Sequence, residues 1–303
     1  MRHGQYRFIV GFLVLPLALY AIFVISPFVQ AFYYSLTNWT GVSPQFDFIG
    51  LQNFQTLTQD SLFLRAVRNN LVLLVAMPLT VILLALFYAF LLNVGGAGSG
   101  VGVRGVRGSG FYKLAFFIPQ VLSVPVIAVI WAVMLDPTPT GLVNSAARRF
   151  GFGGSGWLAD PNLALYCVLW VLVWGSVGFY LVLFNAAMSS IPRDIYEAAV
   201  IDGAGRVATF FRVTMPLLWD TIQTSWVYLA ILALDVYALV AVMTPGPGGP
   251  ANATQVISLQ IAQNGFQFGR AGYASAMGVV LFFFTLIIAA IMLRATRRQR
   301  IEY

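Results

Sequence analysis

The sequence predicts an all-α integral membrane protein with six membrane-spanning helices, and three observations support that fold class. Of its 303 residues, 59% are hydrophobic and only 9% are charged, whereas a soluble domain carries about 25% charged residues. Its apolar runs reach the length of about 20 residues that a helix needs to cross the hydrocarbon layer. Its basic residues lie between those runs rather than within one polar domain. We therefore expect a single membrane domain over residues 1–303.

Six apolar runs are long enough to cross a bilayer. They are residues 8–30, 70–93, 114–135, 163–188, 221–243 and 273–293. The first run is too long for the apolar core of a signal peptide, and no small-residue cleavage motif follows it. We therefore expect it to remain as an uncleaved helix.

The distribution of the 17 basic residues predicts the orientation, because cytoplasmic loops carry an excess of Lys and Arg. With the N-terminus in the cytoplasm, twelve of them fall inside: Arg2, Arg7, Arg104, Arg107, Lys113, Arg193, Arg206, Arg212, Arg294, Arg297, Arg298 and Arg300. Five fall outside: Arg65, Arg68, Arg148, Arg149 and Arg270. Both termini and the loop between the fourth and fifth spans are therefore predicted to be cytoplasmic, in a plasma membrane.

Several kinds of site are disfavoured by composition. The one cysteine, Cys167, cannot form a disulfide framework or a cysteine-based metal site, and the one histidine, His3, lies at the terminus. Scattered arginines argue against a nucleic-acid-binding surface. No G-K-[ST] of a P-loop is present. We expect no metal, no cofactor and no nucleic acid bound by this chain.

The stretch GGAGSGVGVRGVRGSG, residues 95–110, is predicted to be a flexible cytoplasmic linker. Gly100, Gly102 and Gly105 have the G-x-G-x-x-G spacing of dinucleotide-binding loops. That motif requires a preceding strand and a following acid. Here a membrane helix precedes, and no acid follows before residue 135.

The loop between spans four and five, residues 189–219, predicts a helix–turn–helix elbow. Ser190 is expected to cap its first helix, and Pro192 suits the first turn, where its missing N–H costs nothing. Gly203 is expected to end that helix in the left-handed conformation. Pro216 then leads into the fifth span.

Small and acidic side chains on the elbow predict a surface for a protein partner. Alanines would let a partner approach closely, and Glu197 would offer a charge to a basic one. The predicted coupling residues are Pro192, Glu197, Ala198, Ala199, Asp202, Gly203, Ala204 and Pro216.

The elbow resembles the EAA loop of binding-protein-dependent ABC importer permeases. The family pattern is E-A-A, three residues, G, nine residues, I-x-L-P, and here Val213 and Met215 replace the preferred Ile and Leu. The segments SLTNW, FIGLQNF, GLVN and TPGPGGPANAT extend the resemblance to the carbohydrate-uptake permeases, in particular the larger maltose permease subunit. The resemblance implies that the elbow is a coupling helix seated in a cytoplasmic ATPase.

The resemblance also implies the partners. They are a second permease, a cytoplasmic ATPase dimer that holds ATP and Mg, an extracellular sugar-binding protein, and a carbohydrate substrate within surrounding lipid. Trp174 matches a family tryptophan, and Gly175, Ser176 and Phe179 fall at sugar-contacting positions. Gly175 and Gly178 would also allow close helix packing.

Asp235 is the acid predicted inside a span, where a charge costs about 2.5 to 3.5 kcal/mol on insertion scales. It is interpreted either as a structural hydrogen-bond partner or as an acceptor for sugar hydroxyls. Trp174, Phe179, Tyr180, Tyr228 and Tyr237 are aromatic candidates for the substrate path, with ordinary packing as the alternative. Ser176, Phe179 and Asp235 are predicted to line a site near the middle of the membrane.

Other functions remained to be distinguished from oligosaccharide import. One is an ABC permease for glycerol phosphate or another small polar solute. Another is an ion-coupled secondary transporter that uses Asp235, although this leaves the elbow without a role. A membrane glycosyltransferase is a third, but it would require clustered carboxylates, and the outer loops carry only the scattered Asp47, Asp60, Asp136 and Asp160.

Overall fold

The structure is a computed structural model that describes residues 3–94 and 108–295. Throughout those residues the chain is helical between its loops, with one isolated antiparallel bridge between Thr37 and Phe48. The predicted all-α class is therefore confirmed. Residues 95–107 of the expected linker, with Gly100, Gly102 and Gly105, lie outside the described residues.

The α-helices are numbered in chain order. They are α1 His3–Tyr20, α2 Ser26–Tyr34, α3 Gln52–Gln59, α4 Ser61–Val94, α5 Ser109–Val121, α6 Val124–Met134, α7 Leu142–Arg149, α8 Ala164–Ser189, α9 Arg193–Ile201, α10 Arg206–Thr209, α11 Met215–Leu217, α12 Trp219–Leu234, α13 Tyr237–Met243, α14 Ile257–Ala262 and α15 Ala271–Ala295. Wider π-helical turns cover Ala21–Ile25, Phe210–Thr214 and Gln263–Gln267, and 3₁₀ turns cover Trp157–Ala159 and Pro250–Asn252.

Within the described ranges, residues 3–94 and 108–295, four continuous helical segments are long and apolar enough to cross a membrane. They are Ile9–Tyr34, Ser61–Asn93, Ala164–Ser189 and Ala271–Met292. Two bent pairs raise the number to as many as six if each pair is one span: Ser109–Val121 with Val124–Met134, and Arg206–Leu217 with Trp219–Leu234. The predicted third and fifth spans, residues 114–135 and 221–243, each contain a break in the helix.

The third span bends by 100° between α5 and α6. Leu122 and Ser123 take extended backbone conformations there, and Pro125 lies in the first turn of α6. A proline at that position lacks the N–H that would continue the helix, and its ring would clash with the carbonyl of Val121 four residues earlier. The break therefore follows directly from the sequence VLSVP.

The fifth span is interrupted between α12 and α13. Asp235 and Val236 leave helical geometry, with φ and ψ of −109° and 66° at Asp235. The Asp235 side chain is exposed. The predicted position of this acid inside a continuous helix is thus corrected, since it lies in the gap between two helices.

The chain divides into two compact units, of which the first combines its beginning, up to Leu64, with Gln260–Phe284. In this unit Phe282 contacts both Phe28 and Phe32, with ring centroids 5.7 and 5.8 Å apart. The loop after α2 is held by the buried Asn53, which donates to the carbonyls of Ser35 and Thr37 at 2.8 and 2.9 Å.

The second unit, which runs from Arg65 to Leu259 and resumes at Thr285, holds the main apolar core. Its core residues include Met77, Val81, Leu181, Phe184 and Leu229, which come from α4, α8 and α12. Small residues allow these helices to approach one another closely. This packing holds in place the elbow and the cavity described below.

A loop after α13 is fixed to α4 by buried asparagines. The Asn69 amide donates to the carbonyls of Ala253 and Gln255 at 2.9 and 2.8 Å. Asn70 accepts from the N–H of Ile257 at 2.9 Å. Because these side chains satisfy buried backbone groups, the glycine- and proline-rich loop has a defined conformation despite its lack of regular structure.

Candidate functional site

The elbow between α8 and α12 has the predicted helix–turn–helix form. Pro192 precedes α9 in an extended conformation, and Gly203 follows it with φ of +78°. The N–H of Ala204 donates to the carbonyl of Ala199 at 2.9 Å, which closes the helix end. The left-handed conformation expected at Gly203 is confirmed.

Ser190 does not cap the first elbow helix. It ends α8 instead, with its hydroxyl donating to the carbonyl of Ala187 at 2.8 Å. The extended backbone of Pro192 delays the start of α9 until Arg193, so Ser190 lies too early in the chain to reach the free N–H groups of α9. The acidic first-turn residue, Asp194, is present as expected.

One face of α9 packs inward and the other is exposed. Tyr196 and Ala199, three residues apart, are buried. The Tyr196 hydroxyl accepts a hydrogen bond from Thr214 at 3.4 Å, which joins the two arms of the elbow. Ala199 therefore faces the chain's own interior, as its helical position beside Tyr196 requires, and its contact with a partner stays a prediction.

The outward face of the elbow combines acids with exposed apolar side chains. Glu197, Ala198 and Asp202 are exposed, as are Gly203 and Pro216, while Ala204 is partly buried. Beside them Ile201 is 85% exposed, and Val200 and Val207 are also exposed. We call Glu197, Val200, Ile201, Asp202 and Val207 the elbow surface. Exposed apolar groups rimmed by polar ones are typical of a protein interaction surface.

A small cavity in the second unit lies beside both helix breaks. Its volume is about 150 Å³. Leu122 and Val124 reach it from the α5–α6 break, and Leu232 and Leu239 flank the α12–α13 break. Gly175 and Ser176 of α8 complete the wall, together with Gln120. Three separate elements therefore contribute to one site.

Two polar groups in this wall have no hydrogen-bond partner among the described residues. Ser176 is buried, yet its hydroxyl is not bonded to another residue of the described chain. The Gln120 amide is likewise unbonded and exposed. Because buried polar groups are usually hydrogen-bonded, the buried Ser176 hydroxyl is suited to water or to a solute hydroxyl. The exposed Gln120 amide offers a donor and an acceptor to the same groups. Gln120 escaped the sequence analysis, although an amide beside two prolines in an apolar span was an available signal.

The remaining predicted path residues do not line this cavity. Trp174 packs edge-on against Trp131, with ring centroids 5.4 Å apart, and Tyr180 is buried beside Phe184. Phe179 and Tyr228 are exposed on the described chain, as is Asp235. The structure therefore brings together Gly175 and Ser176, and it leaves Trp174, Phe179, Tyr180, Tyr228 and Asp235 outside this wall.

Close contact between α5 and α8 depends on Gly178. A Cβ atom at this position would lie 1.8 Å from the carbonyl oxygen of Phe116. At Gly175, one turn away, a Cβ atom would meet only the Cδ1 of Ile127 at 3.9 Å. The close packing expected from these glycines is thus present at Gly178, and Gly175 instead leaves space in the cavity wall.

Comparisons with known proteins agree with this architecture. Residues 59–301 match the family described as "Binding-protein-dependent transport system inner membrane component". A diacetylchitobiose uptake system permease of Streptomyces coelicolor is 43% identical, over 96% of this chain and 82% of its own length. A multiple sugar-binding transport system permease of Streptococcus mutans is 31% identical, over 95% of this chain and 94% of its own length.

The fold is also found in a solved structure. A chain of a bacterial alginate ABC transporter, in complex with a periplasmic protein bound to an alginate pentasaccharide, aligns with a TM-score of 0.82 at 23% identity. The alignment covers 97% of this chain and 96% of that one.

The family match excludes two of the other classes considered from the sequence. A secondary transporter and a glycosyltransferase do not belong to this family, whose members are inner membrane components of binding-protein-dependent transport. The family model covers most of the chain, and the relatives align over nearly its full length. The chain therefore belongs to the family of binding-protein-dependent transport system inner membrane components, and it is an ABC transporter permease subunit rather than an enzyme.

Proposed function

We propose that this chain imports an oligosaccharide as one permease of an ATP-driven transporter. The observation that carries the proposal is the cavity at the two helix breaks, with the Ser176 hydroxyl and the Gln120 amide in its wall. The sugars in the names of the Streptomyces and Streptococcus relatives support the substrate class.

Broken helices are suited to a solute path. Non-helical backbone at membrane depth is tolerated only where it is buried in protein or lines a water-filled cavity. The α5–α6 and α12–α13 breaks both lie beside the cavity. The residues that line it are all uncharged. A neutral sugar therefore suits this wall better than glycerol phosphate, which would require a basic group.

The elbow supplies the route by which an ATPase would act on this path. Its outward face is free within the described chain, and its two arms are joined by Tyr196 and Thr214. A movement imposed on α9 would therefore be passed to α12, whose far end flanks the cavity. Six spans with both termini in the cytoplasm would place the elbow on the ATPase side.

The complete transporter would contain three further components. A second permease would close the path, and an ATPase dimer would bind ATP and Mg and dock on the elbow surface. An extracellular binding protein would deliver the sugar, as the complex with the alginate relative's periplasmic protein suggests. No bond of the sugar is made or broken by this chain.

Substitution of Ser176 tests the path. In proteoliposomes of the complete transporter, Ser176→Ala should raise the KM for uptake of diacetylchitobiose or the cognate sugar about fivefold, because one hydrogen bond contributes about 1 kcal/mol. Ser176→Leu should reduce uptake further, since its added carbon atoms would fill the cavity. Normal KM and rate in both variants, with the protein folded and assembled, would refute the site.

A further inference from the structure

We propose that a second carbohydrate-binding site exists in the first unit, in a groove between the loop after α2 and the start of α15. The groove has a volume of about 550 Å³ and is lined by Trp39, Thr56, Gln59, Asp60, Arg270 and Tyr273, among others. Small-molecule sites commonly have volumes of about 300–1,000 Å³. None of these residues lines the 150 Å³ cavity at the helix breaks.

Hydrogen bonds hold the walls of the groove in place. Asp60 accepts from the N–H groups of Leu62 and Phe63 at 2.8 and 3.2 Å, and its second oxygen accepts from the Tyr273 hydroxyl at 2.7 Å. This carboxylate therefore ties the start of α4 to α15. A site with a fixed shape loses less entropy when it binds a ligand.

A backbone contact closes the opposite side. The N–H of Gly272 donates to the carbonyl of Trp39 at 2.8 Å. A Cβ atom at Gly272 would lie 2.2 Å from the carbonyl oxygen of Thr37, so only glycine fits this approach. The loop that carries Trp39 is thus held directly against the start of α15.

Two side chains in the groove are available to a ligand. Gln59 and Arg270 form no side-chain hydrogen bond with the described residues, and both are exposed. An amide and a guanidinium offer planar donors, and the amide oxygen also accepts. The Asp60 carboxylate, already oriented by its three partners, has further acceptor capacity beside them.

Trp39 contributes apolar surface rather than another polar group. Its indole N–H already donates to the carbonyl of Ser43 at 2.9 Å, and its ring stacks on Tyr34 with centroids 4.1 Å apart. Aromatic surface beside donors and acceptors matches a sugar, which has apolar C–H faces and a rim of hydroxyls. A single arginine next to a carboxylate is a poor match for a free anion, which Asp60 would repel.

The sugar class of this site rests on the proposed function, but its position and its test are separate. Thr56→Cys places a thiol in the groove wall, at an exposed residue whose hydroxyl donates to the carbonyl of Gln52 in its own helix. Thr58→Cys places one on an exposed position of the same helix outside the groove wall. Both are made with Cys167→Ser, which removes the chain's own cysteine. The rate of labelling by a membrane-impermeant maleimide is measured in proteoliposomes of the complete transporter.

Diacetylchitobiose and maltotriose are the probes, with inorganic phosphate as the anion control. A sugar concentration about four times a millimolar Kd should slow labelling at Thr56→Cys about fivefold, since about one fifth of the sites would stay free. Labelling at Thr58→Cys should not change. Trp39→Ala should abolish the protection, and Trp39→Phe should retain part of it.

Three outcomes would overturn this site. They are no protection by either sugar, equal protection at Thr58→Cys, and protection by phosphate alone. ATP-driven sugar uptake by the same vesicles separates this proposal from the preceding one. Unprotected labelling with normal uptake removes only the second site, whereas protection without ATP-driven uptake of any sugar refutes the proposed function and leaves the binding site.

Discussion

Gly178 and Gly203 are both positions that require glycine, but for different physical reasons. Gly178 lies in the interior, where a Cβ atom would occupy the space of the Phe116 carbonyl. Gly203 lies on the elbow, where a Cβ atom would meet nothing within 4 Å and the requirement is a φ of +78°. The first glycine is required by its neighbours and the second by its own backbone.

This difference predicts that substitutions around the cavity and substitutions on the elbow surface have different effects. Helices around the cavity are positioned by contacts inside the chain, so substitutions there should lower the stability of the folded protein. The residues of the elbow surface are exposed on the described chain, so substitutions there should impair coupling to a partner. Substitutions in the two regions should therefore differ in kind as well as in size.

The largest loss of stability is expected from Gly178→Ala. Its methyl group would collide with backbone atoms of α5, which cannot rotate away as a side chain can. We expect a loss of about 3 kcal/mol, at the upper end of the usual cost of overpacking. Thermal unfolding of the detergent-purified protein measures it. Gly175→Ala is the matched control on α8 and should change the melting temperature little, since its neighbour lies at 3.9 Å.

An intermediate loss is expected from Asn70→Ala. This change removes the acceptor for the buried N–H of Ile257, and an unsatisfied buried donor costs about 2 kcal/mol. Asn93→Ala is the control on the same helix, because Asn93 donates to Ala89, which lies within its own helix, and to the sulfur of Met188. Equal melting temperatures for the two variants would contradict the role given to Asn70.

The smallest loss is expected from Gly203→Ala. An L-residue in the left-handed conformation costs roughly 1 kcal/mol, and no steric collision adds to it. Gly205→Ala provides the comparison, since Gly205 has φ of −68° and equally open space around it. Gly205→Ala should be neutral or slightly stabilising. A Gly203→Ala variant as stable as Gly205→Ala would show that the turn does not need glycine.

The sequence correctly predicted those elements that depend only on residues close together in the chain. The apolar runs predicted the continuous spans, and Gly203 predicted the left-handed turn, because both depend on residues within a few positions of one another. The break at Leu122 and Ser123 could also have been found, since Pro125 is visible in the sequence. The limits of the elbow helix were missed because the conformation of Pro192, rather than the chemistry of Ser190, decided where α9 begins.

Other features depend on contacts between distant parts of the chain. Nothing near Asp235 marks a helix break, since no proline or glycine stands there. The meeting of Ser176 with Leu122 and Leu239 requires the packing of three elements. The burial of Ala199 could not be predicted, because small residues suit both a partner surface and a buried helix face, and only the packing of α9 distinguishes the two.

We propose that the elbow surface passes the movement of an ATPase into the helical bundle. The variant Glu197→Lys tests this role of the elbow surface. The Glu197 side chain is exposed and forms no hydrogen bond with the described residues, so its replacement should leave the chain folded. Asp220→Lys, an exposed acid at the start of α12, is the control.

ATP-driven sugar uptake is measured in proteoliposomes that contain equal amounts of permease and ATPase. We expect Glu197→Lys to lower the rate of uptake about tenfold or more, which corresponds to a loss of about 1.4 kcal/mol at an interface. We expect Asp220→Lys to retain nearly the native rate of uptake. A native rate of uptake by Glu197→Lys, with the ATPase still attached, would show that the elbow surface does not transmit the movement of the ATPase.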